Sequence, residues 1–343
     1  MAMEALRESR QQPAARAGLP LLLLRQAAKL VLLLLTVSVI SFALVEISPV
    51  DPVQAYIGAD LMRVGSEQRE AIAAHWGLDR PPAERFAKWL TSLASGDLGE
   101  SMIYRQPVAE VIAERFRSSA ALMGTAWLFS GALGFSAGVL AAMRRGTWTD
   151  RFIRWFCYTL AATPAFWLGL LLLLLFAVRL GWFPVGLSVP AGVPASEVTL
   201  AERIHHMILP ALTLSIVGIA PIALHTREKL LEVLGTDYIL FARARGDHGF
   251  RLFFRHGLRN VALPAVTLLF ASFSELFGGA VLAEQVFSYP GLGQATVEAG
   301  LRGDVPLLLG IVLFSTVFVF SGNLLAELAY RGIDPRLREG GEG

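Results

Sequence analysis

Between Thr236 and Pro264 the chain reads TDYILFARARGDHGFRLFFRHGLRNVALP, with Arg243, Arg245, Arg251, Arg255 and Arg259 set around Gly246 and Asp247. Side chains of these kinds do not make or break bonds. They attach, either to a lipid headgroup layer or to another protein. Gly246 reads as a helix stop and Asp247 as the cap of the helix that follows. Phe250, Phe253, Phe254, Leu258 and Val261 recur at i, i+3, i+4, i+8 and i+11, a spacing that predicts one apolar helix face. Arg251, Arg255 and Arg259, spaced by four, fall together on the neighbouring face. The expectation is two short helices joined by a turn, apolar on one side and basic on another.

Residues suited to covalent chemistry are sparse. The lysines Lys29, Lys88 and Lys229 follow Ala, Ala and Glu, so no Gly-x4-Gly-Lys phosphate loop exists and the chain cannot bind ATP by that motif. Neither His-Glu-x2-His nor Gly-x-Ser-x-Gly occurs, which leaves hydrolysis within a membrane without a signature. His205 and His206 are adjacent and point to different helix faces, a poor arrangement for metal ligands. The single cysteine, Cys157, excludes an internal disulfide framework or a multi-thiolate metal site and reads as a core filler. No metal or cofactor is therefore expected in this chain. One acidic residue stands out: Glu275, in Ser272-Phe273-Ser274-Glu275-Leu276-Phe277-Gly278-Gly279, near the middle of an apolar run. A carboxylate there lines a polar path, bonds a neighbouring serine or stays protonated.

The elements that must position these residues are membrane spans. With 54% hydrophobic and 17% charged residues over 343 positions, the composition points to a membrane protein. A basic N-terminal tail over 1–28 precedes a first span over 29–48, uncleaved, since Ser48-Pro49-Val50-Asp51-Pro52 is no cleavage site. Further runs over 118–143, 152–178, 207–226, 261–285 and 305–330 are each long enough to cross a bilayer, about 20 residues apiece. They form a five-helix core over 118–332 with a loop at 227–260, followed by a tail over 333–343. Loop 144–154 holds four arginines and loop 227–260 seven Lys or Arg, whereas the short loops on the other side hold Arg203 and Arg302. That bias predicts both termini in the cytoplasm. The segment 49–117 then lies outside as a small folded cap: a helix capped by Ser66, a second marked by Phe86, Trp89, Leu90 and Leu93, a turn at 95–99, and a third helix started by Pro107. Gly134 and Gly138 form a Gly-x3-Gly packing motif. Trp155, Trp167 and Trp182 read as interfacial anchors, and Arg179 as a snorkelling end. No internal repeat of the kind found in secondary transporters is evident.

Taken together, Pro49-Val50-Asp51-Pro52, Gly77-Leu78-Asp79-Arg80-Pro81, Gly96-Asp97-Leu98-Gly99 and Pro164-Ala165-Phe166-Trp167-Leu168-Gly169 form an ordered set. It continues through Asp237-Tyr238, Ala242-Arg243-Ala244-Arg245-Gly246, His256-Gly257-Leu258-Arg259-Asn260, Leu263-Pro264, Glu284-Gln285-Val286-Phe287-Ser288-Tyr289-Pro290-Gly291-Leu292-Gly293 and Ile333-Asp334-Pro335-Arg336. Over residues 25–338 the chain resembles the permease subunits of bacterial ATP-binding-cassette importers, specifically the peptide and nickel uptake family and the member with a long first outer loop. Leu240-Phe241-Ala242 stand where the general family motif has Glu-Ala-Ala, a form usual in the peptide branch.

The resemblance implies an all-α fold of six transmembrane helices, the type I importer permease, in the bacterial inner membrane. It implies that the loop between spans four and five forms coupling helices docked in a groove of a separate ATPase, with Asp237, Tyr238, Phe241, Ala242, Arg243, Ala244, Arg245, Gly246, Arg251 and Arg255 at the contact. ATP and Mg would be bound by two such ATPase subunits, not here. A homologous second permease, a periplasmic or lipid-anchored substrate-binding protein and the lipid bilayer complete the expected partners; nucleic acid is not among them. Peptide is the first expected cargo, with nickel or another metal chelate as the alternative and a channel or carrier without an ATPase as a remote one. Glu275, Ser272 and Ser274 would line the substrate path, in a segment where similar permeases carry a small residue at 275. Glu284 would shape the loop over 286–293.

Overall fold

A computed structural model describes residues 19–48, 65–194 and 197–333, together with Val53 and Ile57. The Pro49-Val50-Asp51-Pro52 motif, the N-terminal arginines before Leu19 and the tail from Asp334 lie outside the described residues. Helices make up the described chain, with no strand among its residues beyond an isolated bridge between Glu100 and Pro107.

Helix α1 runs Leu19–Glu46, starting ten residues before the expected first span because Pro20 is tolerated in a first turn and LLLLRQAAKL after it is built from good helix formers that two isolated cations do not interrupt. In the cap, α2 covers Ser66–His75 and α3 Pro82–Ala94. Ser66 does not cap α2 as expected: Gly65 takes that position and no side chain bonds the first amides. Pro107 precedes α4, Val108–Met143, in which the expected third cap helix and second span are one rod. At 1.5 Å per residue its length is about 54 Å, well beyond a hydrocarbon core of about 30 Å, so its first turns belong to the cap.

The expected third span is broken. Helix α5, Trp148–Ala161, and α6, Ala165–Leu172 continued by a π-helical turn Leu173–Arg179, meet at 106°. Pro164 has no amide to donate and forces Thr163 out of the helical region, so the axis turns there. Helix α7, Leu200–Leu234, opens on a reciprocal cap between Thr199 and Glu202 and carries Pro210 and Pro221 inside it. It runs past Arg227, where a loop is expected from the sequence. Helix α8 is Asp237–Ala244. Helix α9, Gly249–Ala271, includes a π-helical turn over Phe253–Gly257 and is bent by 50° from α10, Phe273–Val286. Helices α11, Leu292–Leu301, and α12, Val305–Ile333, close the described chain. Among the described residues four helices, α1, α4, α7 and α12, are long and apolar enough to cross a membrane, and the count reaches six if each bent pair is one span.

The largest helix pair is α4 on α7. A Cβ at Gly138 would stand 2.5 Å from the Ala223 carbonyl and 2.7 Å from Thr226 Cβ; one at Gly134 would stand 2.9 Å from Ile222 Cβ. The Gly-x3-Gly motif therefore packs two helices of this chain backbone to backbone. Cys157 and Leu160 of α5 pack on Ala220 and Ala223 of α7, which makes Cys157 part of that core. At the cap end, the fully buried Asp304 accepts from Ser101 Oγ at 2.6 Å and the Ile103 amide at 2.9 Å, fastening the cap to α12. Glu284, equally buried, accepts from Ser119 Oγ at 2.5 Å and the Gln294 amide at 3.0 Å, while Ser119 Oγ accepts from the Leu292 amide at 2.7 Å. One carboxylate thus joins α4, α10 and the start of α11.

Gly138→Val is expected to lower stability by about 1–3 kcal/mol or more, because the Ala223 backbone cannot yield. Gly124→Ala, in the same helix with nothing within 4 Å of its Cβ position, is expected to be neutral. Thermal unfolding of the two variants in detergent checks the contrast.

Candidate docking surface

Helix α7 ends at Leu234, and after Gly235 and Thr236 the chain turns into α8. Ile239 and Ala242 of α8 are buried in a cluster with Leu230 and Val233 of α7, Val139 and Ala142 of α4, and Leu252, Phe253 and Val261 of α9. The opposite side of α8 is open: Phe241 is 73% exposed and Leu240 51%. One face is fixed to the spans and the other presents aromatic and aliphatic side chains outward.

Helix α8 ends as the sequence predicts. Gly246 adopts φ +95°, its amide bonds the Arg243 carbonyl at 2.9 Å, and the Asp247 amide bonds the Ala242 carbonyl at 3.1 Å. This paired closure needs a left-handed residue, which glycine supplies at little cost. Asp247 does not cap the next helix. His248 holds that position without a side-chain bond, while the Asp247 carboxylate is buried under the hairpin. His256 Nε2 lies 3.0 Å from Oδ2, Arg251 Nε 3.4 Å from Oδ1 and Arg255 Nη1 3.6 Å from Oδ2. The hydrogen bond from His256, then the charges of Arg255 and Arg251, hold this carboxyl below its ordinary value of 3.8. Asn260 Nδ2 donates to Tyr238 Oη at 2.7 Å, a second tie between α8 and α9.

The expected second short helix is instead the first part of α9, continuous to Ala271, and its single apolar face divides. Leu252, Phe253 and Val261 are buried, whereas Phe250 is 47% and Phe254 65% exposed. The π-helical turn over Phe253–Gly257 adds a residue and rotates the faces, and Gly257 lets Leu230 approach to 3.5 Å from its Cβ position. Tyr238 and Phe241 share one surface with Arg245, Arg251 and Arg255, and Phe250 and Phe254 are exposed on the same hairpin. No carboxylate among the described residues pairs with Arg243, Arg245 or Arg259. Two notches flank α8: one of about 350 Å³ beside Phe241, Arg245 and Arg255, and one of about 540 Å³ beside Arg145, Arg243 and His248. Of the sequence-derived residues, Asp237, Tyr238, Phe241, Arg243, Ala244, Arg245, Gly246, Arg251 and Arg255 all lie on this end, and Ala242 supports it from beneath.

Asp150 was not singled out by sequence reasoning. It is 1% exposed and accepts from Arg227 Nε at 2.6 Å and Nη2 at 3.0 Å and from the Gly146 amide at 2.9 Å; Arg154 Nε lies 3.3 Å away. This pair fastens the start of α5 to α7 just before the hairpin. Its signal was one acid among the four arginines of 144–154.

Glu275, Ser272 and Ser274 lie elsewhere, around the α9–α10 break. Of the three readings open for Glu275, a bond to a neighbouring serine is the one the side chains do not make: Ser272 Oγ donates to the Leu269 carbonyl at 2.9 Å and Ser274 Oγ to Asn323 Oδ1 at 2.6 Å. His205 and His206 bond the Trp182 and Gly186 carbonyls at 2.9 and 3.0 Å, and no group of three metal-ligating side chains occurs among the described residues. Trp155, Trp167 and Trp182 are all exposed.

Residues 134–339 match the family described as "binding-protein-dependent transport system inner membrane component". The chain is 34% identical over 318 residues to the oligopeptide transport system permease protein AppB of Bacillus subtilis, covering 92% of this chain and 98% of that protein. It is 33% identical over 334 residues to the dipeptide transport system permease protein DppB of Escherichia coli K12, with 92% and 98% covered. The glutathione transport system permease protein GsiC of E. coli O6:H1 is 36% identical over 307 residues, with 89% and 94% covered. Among solved structures, the inward-facing MetNI methionine ABC transporter superposes with a TM-score of 0.53 at 16% identity, covering 66% of this chain and 97% of that one, which is a likeness of fold.

Asp150→Ala is expected to destabilise the protein by about 1–3 kcal/mol, since it leaves the partly buried Arg227 and the Gly146 amide without their acceptor; replacing both Asp150 and Arg227 with uncharged residues should recover part of the loss, read as unfolding temperature in detergent. At the hairpin, the lowered Asp247 carboxyl adds stability above its ordinary value and loses it only as pH falls through the lowered one. Amide exchange at Gly246 and Asp247, relative to intrinsic rates, should therefore stay slow as pH falls to the ordinary carboxyl value of 3.8 and rise only below it.

Proposed function

Because this chain belongs to the inner membrane components of binding-protein-dependent transport systems, we propose that it forms half of the pore of an ATP-driven peptide importer. It has no ATPase site of its own. ATP and Mg are bound by two separate ATPase subunits, which grip α8 and the start of α9. A second permease completes the pore, and a periplasmic or lipid-anchored binding protein delivers cargo to the side of the cap. Both termini are cytoplasmic, in accord with the arginines gathered near 144–154 and 227–260. The peptide names of the relatives favour peptides over nickel chelates.

One observation carries the coupling assignment: α8 is seated on α4, α7 and α9 by Ile239 and Ala242 while Phe241 and its neighbours face outward beside arginines that no carboxylate among the described residues pairs. Exposed aromatics supply affinity to a partner surface, and arginines supply orientation and association rate. A helix merely resting among headgroups has no need of such a seat or of the notches on either side of it. Since α7 leads into α8 and α9 leads away, a displacement of α8 is passed to both helices with little slack. ATP moves the pore only through its different affinity for open and closed ATPase pairs, so that preference is transmitted across this contact.

In the assembled importer in proteoliposomes, Arg243→Glu with Arg245→Glu is expected to cut peptide uptake on the order of tenfold, the equivalent of about 1.4 kcal/mol, with ATP hydrolysis no longer tied to uptake and membrane insertion intact. Unchanged transport would reject the docking assignment.

A further inference from the structure

The bent pair α9–α10 is apolar enough to count as one span, yet it is broken at Ser272, and Phe273 opens α10 on an axis 50° away. An interrupted helix at membrane depth persists where it is enclosed by protein or beside water. Glu275 stands in the first turn after the break and is exposed. Among the described residues no cation or donor pairs with it, and the hydroxyls of Ser272 and Ser274 are engaged elsewhere. Ala271 and Gly278, one turn to either side, are small and exposed, and a Cβ at Gly278 would meet nothing within 4 Å. The carboxylate therefore overlooks open space, not a packed seam. On the adjoining α12, Asn323 is exposed and its oxygen is taken by Ser274, which leaves its amide hydrogens to donate outward. Hydrocarbon would reject such a group, so this face borders the path or a polar partner.

Resting on the permease reading above, we propose that Glu275 and Asn323 form a recognition point in the translocation path for the ammonium end of the cargo. The carboxylate accepts from a free α-amino or lysyl ammonium, and Asn323 Nδ2 donates to a neighbouring peptide carbonyl. A charge-assisted bond of this kind is about twice as strong as a neutral one, so the site favours free-amine peptides over N-blocked ones. Its strength has to stay modest, because cargo that is held too well does not leave.

Two measurements on the complete importer in proteoliposomes test this. With Glu275→Gln, uptake of a tripeptide with a free amino end is expected to fall about tenfold, while uptake of the same peptide N-acetylated, at saturating binding protein, changes less than about twofold; Glu275→Asp should restore most of the difference. With Glu275→Cys, the introduced thiol is expected to react with a cationic methanethiosulfonate and to be protected by the free-amine peptide, against a low background because Cys157 is buried. Equal losses for both peptides, an unaffected Gln variant, or a thiol that stays unreactive in the assembled complex would each overturn the proposal while leaving the permease reading in place. A wild-type complex that takes up no peptide would instead defeat the cargo reading and this proposal with it.

Discussion

The close contact of α4 with α7 governs the rest of the molecule. Gly134 and Gly138 remove the side chains that would keep the two backbones apart, so Ile222, Ala223 and Thr226 settle directly on the α4 backbone. In lipid, where apolar burial gives no preference for helix over solvent, this closeness of approach is a main source of attraction between helices. It also brings the ends of both helices level, and those ends form the floor on which α8 sits. Without Val139 and Ala142 beside Leu230 and Val233, Ile239 and Ala242 would have nothing to bury against.

Polar groups then fix what apolar packing leaves free to slide. Near the hairpin, Asp150 and Arg227 join α5 to α7; at the cap end, Glu284 and Ser119 join α4 to α10 and α11, and Asp304 ties the cap to α12. Each of these acids is almost wholly buried and has its oxygens occupied. A buried carboxylate is tolerable only with such partners, and the directionality of the bonds confers register that methyl groups lack. The hairpin is therefore coupled to the spans by a continuous set of contacts, and the exposed phenylalanines around it form the outer end of that set.

Helix breaks mark the other places where regular packing yields to a task. The 106° turn at Pro164 follows from a missing amide. The 50° bend at Ser272 contains no proline, since Pro264 lies two turns earlier within α9 and is absorbed there. At Ser272 the backbone departs from one axis beside Glu275, a carboxylate that no cation among the described residues pairs.

Much of this was readable from residue types and spacing. Apolar length identified the spans, glycine with a following polar residue identified the stop at Gly246, and the ordered motifs identified the family, because each depends on local sequence or on composition over about twenty residues. What the sequence could not decide were relations between distant segments. Periodicity placed Phe250, Phe253 and Phe254 on one face, but contact with Leu230 and Phe135 and the π-helical turn chose which of them face inward. A helix cap was the local reading of Asp247, yet cations one and two turns along α9 captured its carboxylate. The same holds for Asp150, an ordinary acid in a basic loop until α7 brings Arg227 to it. Local propensity specifies where a helix can begin and end; only the packed arrangement decides which side it buries and which charges meet, because those energies arise between atoms far apart in the chain.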